Sequence, residues 1–390
     1  MSLNQSCFSQ AVSALKTSKA NTAITMVLAL FLTACPSLPY QDESKAIVST
    51  LAGSGEQGFR DGQGRNASFR FPTGIAADAA GNLYVADKWG NRIRRITKEG
   101  EVTTLAGSGR AGLTDGLGTS ARFYYPQGIA VDAAGNLYVT EEENHCIRKI
   151  TKKGEVSILA GGGDFRERSG FNDSGEIVTF AQGKKGFADG QGRNALFNRP
   201  SGITIDAAGN LYVADSQNHR IRRITPKGEV STLAGGEKGF ADGQGRNARF
   251  FFPSGIAMDA AGNLYVTDYE NHSIRKVTSK GEVTTIAGGK QGFADGEGSV
   301  ARFYRPQGIA MSRAGNLYIV DGWNNRIRKI TKKGEVTTLA GGNLGFADGE
   351  GSAAQFKFAY GNGIAMDKAG NLYVADSQNH NIRKIAVKRP

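Results

Sequence analysis

Short runs in which apolar and polar residues alternate make up most of this chain, and glycine-containing turns separate them. Residues 126–161 contain four such runs, each rich in β-branched and aromatic residues. Gly135–Asn136 and Lys153–Gly154 lie between runs, and pairs of this kind suit tight hairpin turns. Helical periodicity is absent from the segment. The pattern therefore predicts a four-stranded antiparallel meander.

The meander is repeated along the chain. The segment Gly-Asn-Leu-Tyr-Val-Ala-Asp begins at Gly81 and returns with small changes at steps of 54, 74, 53, 53 and 55 residues. Units of four strands and about fifty residues are typical of β-propeller blades, which stack because none buries its apolar faces alone. A β-solenoid is the alternative, but its repeats are usually shorter and lack two-residue hairpins. We predict an all-β protein with a six-bladed β-propeller.

The two ends of the repeated region complement each other. The last unit stops at a third strand, residues 381–385, whereas residues 46–53 resemble a fourth strand with no blade before it. We therefore predict that the N-terminal strand completes the C-terminal blade and closes the ring, so that no radial edge stays open. The propeller would span residues 46–390. The long step comes from an insertion at about 164–182, which has enough apolar residues for a small hairpin or lid.

The repeated motif resembles the NHL repeat. The pattern Pro-x-Gly-Ile-Ala-x-Asp, then Gly-Asn-Leu-Tyr-Val-Ala-Asp, then Asn-His-Arg-Ile-Arg-Arg-Ile is clearest from Pro200 to Ile224, and it recurs six times over about residues 47–385. The resemblance implies an NHL-type β-propeller. NHL propellers and their relatives include protein-binding scaffolds, RNA-binding domains, sensor domains of membrane kinases and a few lyases, so the fold alone does not select a function.

Residues 1–34 resemble the signal peptide of a bacterial lipoprotein. They contain no Asp or Glu, carry Lys16 and Lys19, and end in an apolar run followed by Leu32-Thr33-Ala34-Cys35. The resemblance implies lipidation of Cys35, a tether over residues 35–45, and anchoring to a membrane. The alternative is a short buried helix with an incidental cysteine. We expect a lipoprotein of the bacterial cell envelope, either periplasmic or exposed at the surface.

The net charge of +12 is concentrated in the third strand of each unit and in the turn after it. The basic residues are Lys98, Lys152, Lys153, Lys227, Lys280, Lys332 and Lys333 in the turns, and Arg94–Arg95, Arg148–Lys149, Arg222–Arg223, Arg275–Lys276, Arg328–Lys329 and Arg383–Lys384 in the strands. They predict either a surface that attracts anionic lipids or glycans, or a solvated rim partly neutralised by nearby glutamates. We do not expect nucleic acid as a partner of an exported lipoprotein.

The six copies diverge at positions that the predicted topology brings to the face carrying the long loops between units. One set is the pair of residues before the first strand, which we align as Arg70–Phe71 in the first unit and Ala359–Tyr360 in the last. The candidate ligand-binding residues there are Trp89, Trp323, Tyr269, Arg199, Arg305, Tyr125, Gln127 and Gln307. Aromatic and arginine side chains dominate recognition surfaces, and the glutamines occupy a slot that should ring the mouth of the central channel. The alternative is that the aromatic residues pack between blades.

Two repeated residue types suggest chemistry but have simpler structural interpretations. The aspartates Asp61, Asp115, Asp189, Asp242, Asp295 and Asp348 lack the spacing of a Ca²⁺ loop, so we expect capping or Asx-turn hydrogen bonds. The histidines His145, His219, His272 and His380 follow the Asn that opens the third strand, and we expect a structural role. We expect no metal, cofactor or catalytic residue.

Together these features predict a lipid-anchored, monomeric binding or scaffold module of the cell envelope. Its partner would be a protein, peptide or glycan held on the long-loop face. The alternative is a lyase-type enzyme that acts at the mouth of the central channel. The sequence contains no Ser/His/Asp set, paired-carboxylate signature or phosphate-cradling loop, and this favours the binding module.

Overall fold

The computed structural model describes residues 46–164, 166–171 and 177–387, and it leaves the side chains of residues 171, 177 and 178 undescribed. The predicted signal peptide (1–34), the tether (35–45) and the lipidation site Cys35 lie outside the described residues. Within the described part of the chain, no helix is long and apolar enough to span a membrane.

The described residues form strands and single 3₁₀ turns. The strands are β1 (Ala46–Ala52), β2 (Gly62–Gln63), β3 (Pro72–Ala77), β4 (Leu83–Asp87), β5 (Arg92–Ile96), β6 (Glu101–Ala106), β7 (Gly116–Leu117), β8 (Pro126–Val131), β9 (Leu137–Glu141), β10 (Cys146–Ile150), β11 (Glu155–Gly161), β12 (Arg166–Phe171), β13 (Ile177–Gln182), β14 (Gly190–Gln191), β15 (Pro200–Ile205), β16 (Leu211–Asp215), β17 (Arg220–Ile224), β18 (Glu229–Ala234), β19 (Gly243–Gln244), β20 (Pro253–Met258), β21 (Leu264–Asp268), β22 (Ser273–Val277), β23 (Glu282–Gly288), β24 (Gly296–Glu297), β25 (Pro306–Met311), β26 (Leu317–Asp321), β27 (Arg326–Ile330), β28 (Glu335–Gly341), β29 (Gly349–Glu350), β30 (Ile364–Met366), β31 (Leu372–Asp376) and β32 (Asn381–Val387). The 3₁₀ turns are Gly64–Asn66, Gly118–Ser120, Gly192–Asn194, Ser216–Asn218, Gly245–Asn247, Gly298–Val300, Gly322–Asn324, Gly351–Ala353 and Ser377–Asn379.

Six five-stranded antiparallel sheets form the blades of a propeller, as the sequence predicts. Blades one to five consist of β2–β6, β7–β11, β14–β18, β19–β23 and β24–β28, and blade six consists of β29–β32 with β1. In blade two the order is β7-β11-β10-β9-β8, so the predicted four-stranded meander gains a short fifth strand at its outer edge. Residues of two neighbouring blades build each apolar cluster: Ala76 and Ile93 of blade one, for example, pack with Phe123 and Val139 of blade two.

The N-terminal strand closes the ring. β1 lies between β29 and β32 in the sheet of blade six, and Ala46 pairs with Val387 while Val48 pairs with Ile385. This confirms the predicted closure by the N-terminal strand. Around the axis, neighbouring innermost strands approach so closely that a Cβ on Gly128 would lie 2.2 Å from the carbonyl oxygen of Ser201. Glycine is therefore required at this position of the repeat.

Only the ends of the long loops stay near the face where they begin, whereas their middle parts leave it, and this corrects the sequence interpretation. We call the face that carries the loops between second and third strands the upper face. The loop before blade one descends from it along the outer edge, where Gln63 pairs with Glu101 at the start of the fourth strand. The predicted helical turn and buried Ala and Phe are found there, because Ala67 and Phe69 are fully buried.

The repeated aspartates and half of the basic strand residues have a shared role that the sequence analysis missed. The first basic residue of each third strand is fully buried: Arg94, Arg148, Arg222, Arg275, Arg328 and Arg383. Arg222 pairs through Nη1 with Asp215 Oδ2 at 2.7 Å and through Nη2 with Asp189 Oδ1 at 2.7 Å. The prediction that these arginines enlarge a basic surface is therefore wrong. The repeated aspartate is an ion-pair partner rather than a cap or Asx-turn residue.

Candidate ligand-binding face

Two segments of each blade form the upper face: the pair of residues before the innermost strand, and the loop between the second and third strands. The second residue of that pair is left-handed in five blades, with φ values of 56°, 54°, 50°, 55° and 53° at Phe71, Tyr125, Arg199, Phe252 and Arg305. The left-handed backbone conformation costs a non-glycine residue about 1–3 kcal/mol, and residues strained in this way cluster at functional sites. The surrounding structure must therefore hold these residues in place.

A hydrogen bond from the preceding blade holds each of them. The backbone N–H of Arg199 donates to His145 Nδ1 at 3.2 Å, and that of Tyr125 donates to Asn91 Oδ1 at 3.1 Å. Likewise, the backbone N–H groups of Phe71, Phe252 and Arg305 donate to Nδ1 of His380, His219 and His272, respectively. The four histidines are therefore structural acceptors, as the sequence predicts, and Asn replaces them in two blades.

Their role requires a neutral imidazole. Burial, together with the positive charges of Arg199 and Lys185, lowers the pKa of His145 from 6.5 to about 4. Burial also lowers the pKa values of His219, His272 and His380. At neutral pH each imidazole is therefore uncharged, and its Nε2–H tautomer leaves a lone pair on Nδ1 that can accept the N–H of the next blade.

Blade six departs from the others, and the sequence alignment of its upper residues is wrong by two positions. The Lys357 N–H donates to Asp376 Oδ1 at 2.9 Å, as the Arg70 N–H donates to Asp87 Oδ1 at 2.6 Å in blade one. Lys357 and the residue after it thus occupy the place that the sequence analysis gave to Ala359–Tyr360. The latter two are an insertion, and the innermost strand β30 has only three residues.

The inserted Tyr360 lies among residues of other blades around the channel mouth. Its ring is 5.2 Å from that of Tyr269, edge to face, and the Nζ of Lys88 lies 5.5 Å from its centroid. Lys88 forms an ion pair with Glu142 of the neighbouring blade, and both side chains are nearly buried. Partial burial and the charge of Glu142 raise the pKa of Tyr360, of which 36% is exposed, so the phenol stays neutral.

Gln127 and Gln307 support this insertion. Gln127 Nε2 donates to the carbonyl of Gly361 at 3.2 Å, and Gln307 Nε2 donates to that of Ala359 at 2.6 Å. Both glutamines are buried: Gln127 is 3% exposed and Gln307 is 1% exposed. Gln127 lines a cavity of about 80 Å³ between the innermost strands, and Gly308, next to Gln307, lines it as well. Direct contact of either glutamine with a ligand stays a prediction.

Trp323, Arg305 and Tyr269 form one cluster on the face. The Arg305 guanidinium lies 4.8 Å from the Trp323 ring and pairs with Glu270 at 3.0 Å. Trp323 Nε1 donates to the Tyr269 hydroxyl at 3.3 Å. Tyr269 is 5% exposed whereas Trp323 is 53% exposed. The tryptophan therefore presents a large surface to solvent, with its orientation fixed by two neighbours.

Trp89 and Tyr125 line an aromatic cleft of about 740 Å³ on the opposite side of the mouth. The Trp89 ring stacks on Phe71 with centroids 3.9 Å apart, and 40% of the residue is exposed. Tyr124 and Phe180 complete the cleft, with their rings 5.2 Å apart in an edge-to-face contact. Sequence comparison pointed to Trp89 and Tyr125 but did not show that Phe180 of the insertion would join them.

The insertion forms the predicted hairpin, β12–β13, in which Arg166 pairs with Gln182 and Arg168 with Phe180. It stands between the aromatic cleft and a second cleft of about 560 Å³ that Arg199 lines. Arg199 pairs with Glu143 at 2.5 Å. Among the described residues, no group of three or more His, Cys, Asp or Glu side chains is arranged to hold a metal ion.

Comparison with known proteins identifies the repeated unit. The NHL repeat family model matches residues 69–96, 123–150, 197–224, 250–277, 303–330 and 358–385. The protein is therefore a six-bladed β-propeller built of six NHL repeats.

Its relatives are longer proteins. The chain is 30% identical over 343 residues to the chloroplastic protein SUPPRESSOR OF QUENCHING 1 of Arabidopsis thaliana, covering 82% of this chain and 30% of that protein. It is also 30% identical over 356 residues to NHL repeat-containing protein 2 of Bos taurus, covering 82% of this chain and 47% of the relative. The chain thus spans less than half the length of either relative.

Solved structures share the fold at lower identity. An auxiliary nutrient binding protein of Bacteroides thetaiotaomicron superposes with a TM-score of 0.63 at 19% identity, over 88% of this chain and 76% of that one. A streptogramin B lyase superposes with a TM-score of 0.52 at 16% identity, over 88% and 98% of the two chains. At these identities the likeness concerns the fold.

Proposed function

We propose that this protein is a lipid-anchored binding module of the bacterial cell envelope, and that its upper face recognises a protein, peptide or glycan. The observation that carries the proposal is the pair of exposed tryptophans, 40% and 53% exposed, on a face whose backbone is the same in most blades. Exposed, pre-oriented aromatic rings supply binding energy at low entropic cost. Trp89 in addition borders a cleft of about 740 Å³, within the range typical of ligand sites.

The shared fold of the nutrient binding protein from Bacteroides thetaiotaomicron supports a binding role for a propeller of this kind. The lipobox-like segment ending in Cys35 supports the anchor and the envelope location. Acylation at that residue would attach the propeller to a membrane without a spanning helix.

The proposal is tested by screening the full chain against labelled peptidoglycan fragments, polysaccharides and peptides, and by then repeating the measurement with Trp89→Ala and Trp323→Ala. A hot-spot tryptophan should cost about 2 kcal/mol or more of binding free energy, roughly thirtyfold in Kd. Because both rings are about half exposed, the thermal melts should shift little. Leu117→Ala is the matched control, since Leu117 is exposed on the outer edge of blade two, away from this face.

Normal binding by both tryptophan variants would refute the proposal, and so would large losses of stability in both. Conversion of a bound ligand to product during the assay would instead favour the lyase interpretation. In that case a substrate approaching from the upper face would meet Tyr360 at the channel mouth, and Tyr360→Ala would change turnover.

A further inference from the structure

The second cleft of the upper face has an unusual charge. We call it the basic cleft; its charged lining residues are Arg166, Arg168, Lys184, Lys185, Arg199 and Glu143, and it encloses about 560 Å³. Five cations thus face a single carboxylate. The hairpin β12–β13 forms one wall, and the residues before the innermost strand of blade three form the other.

The one carboxylate is already engaged. Glu143 accepts Arg199 Nη2 at 2.5 Å and Gln182 Nε2 at 3.3 Å, and Arg168 Nη1 lies 3.8 Å from it. Arg166, Lys184 and Lys185 form no ion pair with any carboxylate of the described residues. Glu143 therefore holds the guanidinium of Arg199 in position, together with Glu142, which lies 3.7 Å from Arg199 Nη1. Within the described residues, three of the five cations of the cleft have no carboxylate partner.

This arrangement belongs to one place in the ring. Lys184–Lys185 precede the Gly-Phe pair of the long loop, and the same two positions are Glu237–Lys238 in the next blade and Asn343–Leu344 before blade six. The other blades also lack the hairpin that brings Arg166 and Arg168 over the cleft. The repeat therefore does not require this charge.

We propose that the basic cleft binds a small ligand through a carboxylate or phosphate group, with Lys184, Lys185 and Arg199 as its principal contacts. This deepens the proposed function, because it rests on the upper face being a ligand-binding surface. Arginine and lysine are the side chains that proteins use for oxyanions, and a guanidinium already held by a carboxylate is pre-organised for a second partner. The volume suits a ligand of one to three sugar units.

The test measures binding of three probes to the full chain by isothermal titration calorimetry at several salt concentrations. The probes are trigalacturonate, which carries carboxylates, glucose 6-phosphate, and neutral maltotriose. We expect at least one anionic probe to bind more tightly than maltotriose and to weaken as salt rises. We expect Lys184→Gln/Lys185→Gln to weaken that binding at least tenfold.

Lys238→Gln is the matched control, because Lys238 occupies the position of Lys185 in a blade without the hairpin. The Lys238→Gln variant should bind the anionic probe as tightly as the wild type does. Binding of only trigalacturonate or only glucose 6-phosphate would identify a sugar acid or a phosphate ester as the ligand class. Failure of both, or equal losses in the double variant and the control, would overturn the proposal.

This outcome is separable from that of the tryptophan test. Salt-sensitive binding lost on removal of the two lysines, together with no effect of Trp89→Ala on any other ligand, would sustain the basic cleft and refute the aromatic recognition surface. Loss of ligand binding in the Trp89 variant, without any binding of anionic probes, would sustain the aromatic recognition surface and refute the basic cleft.

Discussion

Replacing His145 with asparagine tests the hydrogen bond that joins blades two and three at the upper face. Asn91 and Asn325 already perform this task in other blades, where their Oδ1 atoms accept the N–H of Tyr125 and Phe358. Asparagine at 145 should therefore keep the acceptor for the Arg199 N–H. What it removes is the proton-binding site, because an amide does not titrate.

The magnitude follows from the depressed pKa of His145, which burial and neighbouring cations lower from 6.5 to about 4. The unfolded chain binds the proton more readily than the folded protein. The contribution of neutral His145 to the free energy of unfolding is therefore fully present above pH 6.5 and is lost as the pH falls from 6.5 towards 4. Each pKa unit of difference between the unfolded and folded states corresponds to about 1.4 kcal/mol. The free energy of unfolding therefore falls by roughly 2 kcal/mol by pH 5 and by roughly 3 kcal/mol near pH 4. Only 4% of the residue is exposed, so solvent screens this effect little.

Urea unfolding of the wild type and of His145→Asn at pH 8, 7, 6 and 5 measures this difference. The two proteins should be about equally stable at pH 8, and the variant should be roughly 2 kcal/mol more stable at pH 5. His219→Asn is the control: its imidazole is less buried, so its pH-dependent gain should be smaller. Parallel stability profiles of wild type and His145→Asn would refute the neutral-acceptor assignment.

Three further predictions follow from the closed ring, the buried arginines and the leader. Deleting residues 46–53 removes the partner of β32 and should cause aggregation measurable by light scattering; a monomer with an unchanged melting temperature would contradict the closure. Arg222→Met should lower the free energy of unfolding by about 3–5 kcal/mol, because Asp215 stays buried without its cation, whereas Arg223→Met should have little effect because Arg223 is exposed. Cys35→Ser should abolish incorporation of a palmitate analogue into the protein in a bacterial host, and equal labelling of the variant would argue against a lipoprotein.

The sequence predicts the blades because each strand is set by local alternation and each turn by Gly or Asn. It also predicts the closing strand and the structural histidines, since both follow from comparing repeats. It could not predict the partners of Arg222, because Asp189 lies 33 residues earlier and meets the guanidinium only after the long loop runs down the outer edge. Charge in a sequence does not distinguish a solvated arginine from a buried, paired one.

The misaligned residues of blade six have a similar origin. The last step of 55 residues, compared with 53 for the two before it, was the available signal for the insertion of Ala359–Tyr360. Lys88 and Glu142, which occupy equivalent positions with opposite charge in neighbouring blades, were a signal for the ion pair at the mouth. Neither signal specifies a contact, because the distance across the mouth depends on the curvature of the closed ring.

The upper face can vary without endangering the fold, and the reason lies in its backbone. At the left-handed position, the bond to the preceding blade is made by the backbone N–H, so it is the same for Tyr125 and for Arg199. Phe, Tyr and Arg all adopt the left-handed conformation at this position, whereas a β-branched residue would be more strained there. Aromatic and basic side chains can therefore replace one another there with little change in blade stability. A surface whose frame is independent of its side chains is well suited to recognition, and the aromatic and basic clefts lie on that surface.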